Sequence, residues 1–319
     1  MRIVIAPDKL RGTYTAEQAA AALARGWRSV RPDDELLEVP LADGGEGTAA
    51  ALLAARGGTW SVAPAHDAAG REIEARYARL RGGEAAMDVA EACGAWRVAD
   101  LPPDPLGASS HGAGELLRAA MRGASRVVIG VGGTATTDGG VGLRAALGSP
   151  PAGVELVAAL DVDNPLLGPA GAAAVYGPQK GATPEQVVEL DRRLSALGLP
   201  TAERPGAGAG GGIGGMLMAL GATSRAGAEL VLDEVGFTGL IEGASLCITA
   251  EGRIDMQTLR GKVVSAVAAR CGEAGVPCVA VGGVVDADAA EALAQLGVRC
   301  HEQGDLERAG RELTQAVEA

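Results

Sequence analysis

Residues 2–6 read Arg-Ile-Val-Ile-Ala, an apolar run without polar alternation. A strand of that kind is covered on both faces, as in a parallel sheet. A helix signal follows at once. Thr15-Ala-Glu-Gln18 forms a capping box, and Ala19, Leu23, Trp27 and Val30 recur behind it at helical spacing. Residues 36–41 give a second strand, and residues 44–48 lead into an Ala/Leu helix that stops at Gly57. This β-α-β-α order demands a parallel sheet with crossover helices.

The texture then changes. Residues 60–63 and 72–80 alternate like antiparallel strands, with 85–89 as a third. Ser109 or Ser110 caps a helix over 114–121, 126–131 is a buried strand, a helix runs to Leu147, and 154–160 is again a strand. Thr183-Pro184-Glu-Gln186 starts a helix that runs to Leu197. Strand–turn–helix units return over 246–249, 263–269, 276–281, 287–296, 298–300 and a terminal helix. The expected layout has a domain from both chain ends, 1–60 and 240–319, and a middle domain, 61–239.

Bulk properties exclude several functions. The 319 residues carry a formal net charge of −12 and only 7 aromatics, which argues against nucleic acid and anionic membrane as partners. No segment reaches the roughly 18 apolar residues of a membrane helix, and the first residues do not make a signal peptide. A cytoplasmic protein is expected. The five cysteines include no Cys-x-x-Cys pair and read as buried reduced thiols. His66, His111 and His301 show no metal-ligand spacing and read as structural or capping residues.

Chemistry is concentrated at strand ends. In open α/β sheets, ligands sit beyond the carboxyl ends of the strands. Here those ends carry Pro7-Asp8-Lys9-Leu-Arg11, Asp43-Gly44-Gly45-Glu46-Gly47-Thr48, Gly132-Gly133-Thr134 through Asp138-Gly139-Gly140, Asp161-Val-Asp163-Asn164, and Glu251 through Lys262. One such turn is a capped loop; five together point to a site. Glycine turns offer backbone N–H groups to an anion, yet the neighbouring carboxylates would repel phosphate. A divalent cation resolves the conflict, and Lys and Arg neutralise a transferring phosphoryl group. The combination suits phosphoryl transfer better than hydride transfer. A Walker A motif is absent. The Gly-x-Gly-x-x-Gly matches at Gly206 and Gly210 lie in a segment so glycine-rich that they carry little weight, and no clear strand precedes them.

The stretches IVIAPDK, LADGGEGT, GVGGTATTDGG, DVDNPLLGPAGAAAVYGPQKGAT, PGAGAGGGIG and ITAEGRIDMQTLRGK, in this order, resemble the bacterial glycerate kinase family, the class with ATP-dependent glycerate 2-kinases. The resemblance covers about residues 1–285. It implies an α/β fold of two domains, a flavodoxin-like parallel-sheet domain from both chain ends and a mixed middle domain, with the active site between them. It implies transfer of the ATP γ-phosphate to a hydroxyl of D-glycerate with Mg²⁺. The matching positions are Asp8, Asp43, Gly44, Gly45, Glu46, Asp138, Asp161, Asp163, Asn164, Lys180, Glu251, Arg253, Asp255 and Lys262.

On that basis Asp8, Asp43, Asp138 and Lys262 are the expected catalytic residues, with Asp138 or Asp43 first as proton acceptor. Arg11, Gly44, Gly45, Glu46, Arg253 and Asp255 are expected at the substrate. Gly132, Gly133, Thr134 and Lys180 are expected at ATP, and Asp161, Asp163 and Glu251 at Mg²⁺. The sequence departs from the family pattern at Lys9, Arg11, Thr137, Ala250 and His111, and is short between Leu147 and Val154. These changes leave room for another small hydroxy acid as substrate. A non-catalytic acid- or nucleotide-binding paralogue is the remaining alternative, and retention of the acidic strand ends speaks against it.

Overall fold

Parallel and mixed strand pairing divides the chain into two sheets. The computed structural model describes residues 1–10, 12–148, 153–259 and 261–316. In chain order the strands are β1 (Arg2–Ile5), β2 (Glu35–Glu38), β3 (Gly58–His66), β4 (Glu72–Leu80), β5 (Glu84–Asp88), β6 (Arg126–Gly130), β7 (Glu155–Leu160), β8 (Thr223–Ala226), β9 (Leu246–Ile254), β10 (Cys278–Val285) and β11 (Val298–Glu302).

The first unit comprises Met1–Asp43 and Ala228–Ala319. Its sheet has the order β11-β10-β9-β1-β2, and every pairing is parallel. Counted within the unit this is the 2-1-3-4-5 order of flavodoxin-like folds, whose switch point lies between the first and third strands. Here that point lies between β1 and β9. Ile3, Ile5, Leu23, Trp27, Ile248, Val279 and Leu313 form the core beside it. The helix Ala16–Arg28 begins with the expected capping box, Thr15 accepting from the Gln18 amide and Gln18 returning the bond.

The second unit is Gly44–Gly227. Its sheet runs β3-β4-β5-β6-β7-β8. The β3–β4 and β4–β5 pairs are antiparallel, and the pairs from β5 to β8 are parallel. Met87, Leu116, Leu117, Ile129, Leu143 and Ile213 fill its core. The helix Thr48–Arg56 packs on β4, β5 and β6. The sequence placed it with the first domain; the division falls instead at 43/44 and at 227/228. Local periodicity marks a helix but not which sheet covers its apolar face. β8 and the helices Gly227–Glu234 and Phe237–Ile241 had no counterpart in the sequence reading.

The glycine-rich segment has a packing role. Gly210, Gly211 and Gly212 interrupt the helix Ala209–Ala219 with positive φ. The Gly211 carbonyl accepts from the Gly139 amide at 3.0 Å, and a Cβ on Gly211 would run into the Thr136 carbonyl. The segment therefore supports the loop after β6. Among the described residues no helix is long and apolar enough to cross a membrane.

Candidate active site

In the first unit, β1 and β9 deliver carboxylates side by side at the switch point. The ladder extends past β1: the Ala6 amide donates to the Ile248 carbonyl and the Asp8 amide to the Ala250 carbonyl. This extension places Asp8 level with Glu251. Asp8 is buried, and its Oδ1 accepts from the Lys9 amide at 2.7 Å. The Lys9 Nζ lies 3.1 Å from Asp43 Oδ1 and 3.9 Å from Asp8 Oδ1. Burial pushes the Asp8 carboxyl up to about 7; Lys9 opposes the rise, and the charges of Asp43 and Glu251 add to it. A carboxyl that titrates near neutrality exchanges protons at working pH, as a general base must.

Glu251 is held from two sides. The Thr258 hydroxyl donates to its Oε2 at 2.9 Å, and Lys262 Nζ donates to its Oε1 at 3.0 Å. Lys262 also occupies the N-cap position of the helix Val263–Ala274, with no side-chain capping bond. Asp255 shapes the intervening turn by accepting from the Gln257 amide at 2.7 Å. Asp8, Asp43 and Glu251 thus offer hard oxygen donors, with Lys9 and Lys262 against them. That donor set fits Mg²⁺.

In the second unit, the loop after β6 is built on bare backbone. The Val131 amide donates to the Gly44 carbonyl at 2.8 Å. A Cβ on Gly132 would run into the Asp161 carboxylate and the Gly45 backbone. Lys180 Nζ donates to the Thr136 carbonyl at 2.6 Å and lies 3.3 Å from the Thr134 hydroxyl. Burial brings the Lys180 ammonium down to about 8, while Cys93, Asp161 and Asp138 act to raise it. Asp88, at the end of β5, accepts from the Gly47 and Ala49 amides at 2.9 and 3.0 Å and anchors the start of the helix Thr48–Arg56.

Known proteins agree with this architecture. The sequence profile described as "Glycerate kinase family" matches residues 3–152 and 149–317. The chain is 39% identical to a glycerate kinase of Halalkalibacterium halodurans, over 88% of this chain and 85% of that protein. The chain belongs to the glycerate kinase family. A glycerate 2-kinase of Escherichia coli is 38% identical over 84% of this chain and 81% of its own length. A crystal structure described as a glycerate kinase 2 from Salmonella typhimurium superposes with a TM-score of 0.80 at 32% identity, covering 100% of this chain and 98% of that one. The two profile segments overlap at 149–152, and those residues lie outside the described ones.

Several site residues expected from family motifs also carry structural contacts of their own. Asp138 acts as a cap. Its Oδ2 accepts from the Ser110 amide, the Ser110 hydroxyl and the Gly142 amide at 2.9, 2.8 and 3.2 Å, and its Oδ1 from the Gly140 amide at 3.0 Å. These bonds fasten the starts of the helices His111–Ala120 and Val141–Leu147. Arg253 points its guanidinium at Asp286, 2.7 Å away, with Asp255 at 3.8 Å. Asp161 and Asp163 follow β7 in the second unit, and Glu251 lies on β9 of the first. The two aspartates help burial raise the Tyr176 phenol to about 12. Asn164 braces its own loop through the Ala170 carbonyl and the Tyr176 hydroxyl. Glu46 is exposed. Arg11 lies outside the described residues.

Sequence reasoning missed Asp88 and Thr258. No local pattern distinguishes Asp88 from any acid at a strand end. Thr258 sits seven residues after the carboxylate it serves, inside a turn whose other charges drew attention first.

Proposed function

We propose that this protein transfers the γ-phosphoryl group of ATP to a hydroxyl of D-glycerate, giving 2-phosphoglycerate. Family membership supports glycerate phosphorylation. The observation that carries the mechanism is the Asp8 carboxyl, buried beside Asp43, Glu251 and Lys9 at the switch point and titrating near 7. In this reading Asp8 accepts the proton of the attacking hydroxyl as its oxygen bonds to the γ-phosphorus and the β–γ bridge breaks. Asp43 and Glu251 would hold Mg²⁺, which when bound would supply charge neutralisation at the phosphate oxygens. Lys9 and Lys262 neutralise the transferring group. Lys180 positions the loop of Gly132, Gly133 and Thr134, which offers its backbone to the nucleotide. The protein would work where ATP is abundant, in the cytoplasm.

The test is ATP consumption with D-glycerate and Mg²⁺, with the product identified by ³¹P NMR. Formation of 2-phosphoglycerate supports the proposal. Formation of 3-phosphoglycerate would refute the assigned acceptor hydroxyl. Folded protein that turns over a different hydroxy acid but not D-glycerate would refute the substrate, and the sequence departures at Lys9 and Arg11 leave room for that second reading.

A further inference from the structure

Packing in the second unit joins two histidines that the sequence keeps far apart. His66 closes β3, and His111 opens the helix His111–Ala120 with Glu115 one turn behind it. Gly112 allows the close approach, since a Cβ there would run into the His66 carbonyl. The His66 amide donates to Glu115 Oε2 at 2.9 Å, which orients the carboxylate. Glu115 Oε1 is then 3.2 Å from His66 Nδ1 and 3.6 Å from His111 Nε2. One ligand atom from each residue can be chosen so that all three lie within 4.8 Å of one another.

We infer that His66, His111 and Glu115 form a binding site for a divalent transition-metal ion of the Zn²⁺ type, separate from the Mg²⁺ chemistry proposed above. Bonds of about 2.0–2.1 Å in a tetrahedral site set ligand atoms roughly 3.3 Å apart. The two distances to Glu115 Oε1 bracket that edge. Two imidazoles and one carboxylate suit Zn²⁺, Ni²⁺ or Co²⁺ and disfavour Mg²⁺ and Ca²⁺, which take oxygen ligands. The histidine side chains are 38% and 45% exposed, so a fourth position is open to water. The His66 backbone bond to Glu115 is the supporting contact that orients a ligand before the ion arrives.

Tag-free protein titrated with Zn²⁺ by calorimetry, and with Co²⁺ by visible absorption, tests the site. The expected result is one ion per chain and the weak d–d bands of a nitrogen and oxygen site. His66→Gln and His111→Gln, each shown to be folded by circular dichroism, should weaken binding by more than about 100-fold, beyond the loss of a mere supporting contact. Wild-type protein without stoichiometric binding would overturn the inference, and so would unchanged affinity in both variants. Co²⁺ spectra dominated by thiolate charge transfer would also overturn it, placing the ion at the buried trio Cys247, Cys271 and Cys278.

Discussion

Replacing Asp8 with asparagine should stabilise the protein while disabling it. The Asp8 carboxyl rises from 3.8 to about 7 on folding. At about 1.4 kcal/mol for each tenfold in proton affinity, the ionised group costs the folded state up to about 4 kcal/mol. Below pH 3.8 the group is protonated in both states and costs nothing. Between there and about 7 the unfolded chain ionises while the folded chain keeps its proton, so stability falls as pH rises. Above about 7 the loss is complete. The asparagine amide cannot ionise, and its side-chain oxygen can still accept from the Lys9 amide. Urea unfolding of Mg²⁺-free protein should therefore show Asp8→Asn more stable than wild type at pH 8, with a gap that narrows by pH 5. The figure of about 4 kcal/mol is a ceiling, because Lys9 loses an ionic neighbour. Activity should drop by about 10²–10⁴-fold, the contribution of a positioned general base. A variant no more stable than wild type at pH 8, a gap independent of pH, or near-normal kcat would each refute the reasoning.

Other substitutions separate chemistry from scaffolding. Lys262→Ala should lower kcat/KM by about 100-fold in steady-state assays, as expected for losing a cation at developing charge; a change within about threefold removes Lys262 from the mechanism. Asp138→Asn should instead lower stability by about 1–2 kcal/mol in thermal melts, because a helix cap is weakened, and leave kcat far less affected. Asp88→Ala should destabilise by about 1–3 kcal/mol, since the Gly47 and Ala49 amides lose their buried acceptor. Lys180 Nζ should titrate near 8 by NMR of labelled lysine, and an ordinary value above 10 would show that its ammonium is hydrated rather than buried.

The parts of the fold set by short-range patterns were legible in the sequence. Both capping boxes, at Thr15 and Thr183, form as read, because each is completed within four consecutive residues. The buried runs at β1, β6, β7 and β9 declared themselves by continuous apolar character. Long-range placement was not legible. Asp-Gly-Gly at 138–140 can be read locally as a base beside a substrate, and its capping of two helices shows only once Ser110 and Gly142 bring in their donors. Asp88 serves amides about forty positions earlier in the chain, a partnership set by the placement of a helix over β5. His66 and His111 became neighbours for the same reason: a helix start packed on a strand end.

The order in which these strands leave the ribosome follows from the interrupted parallel sheet. β1 lies inside that sheet, yet its neighbour β9 is encoded after the whole of the second unit. At roughly 5–20 residues per second, β1 waits on the order of tens of seconds for its partner. The continuous second unit can close first, while the apolar β1 remains paired on one side at most. Asp8 and Glu251 meet only when that late pairing forms, so a nascent chain has no carboxylate cluster until its last third is being synthesised.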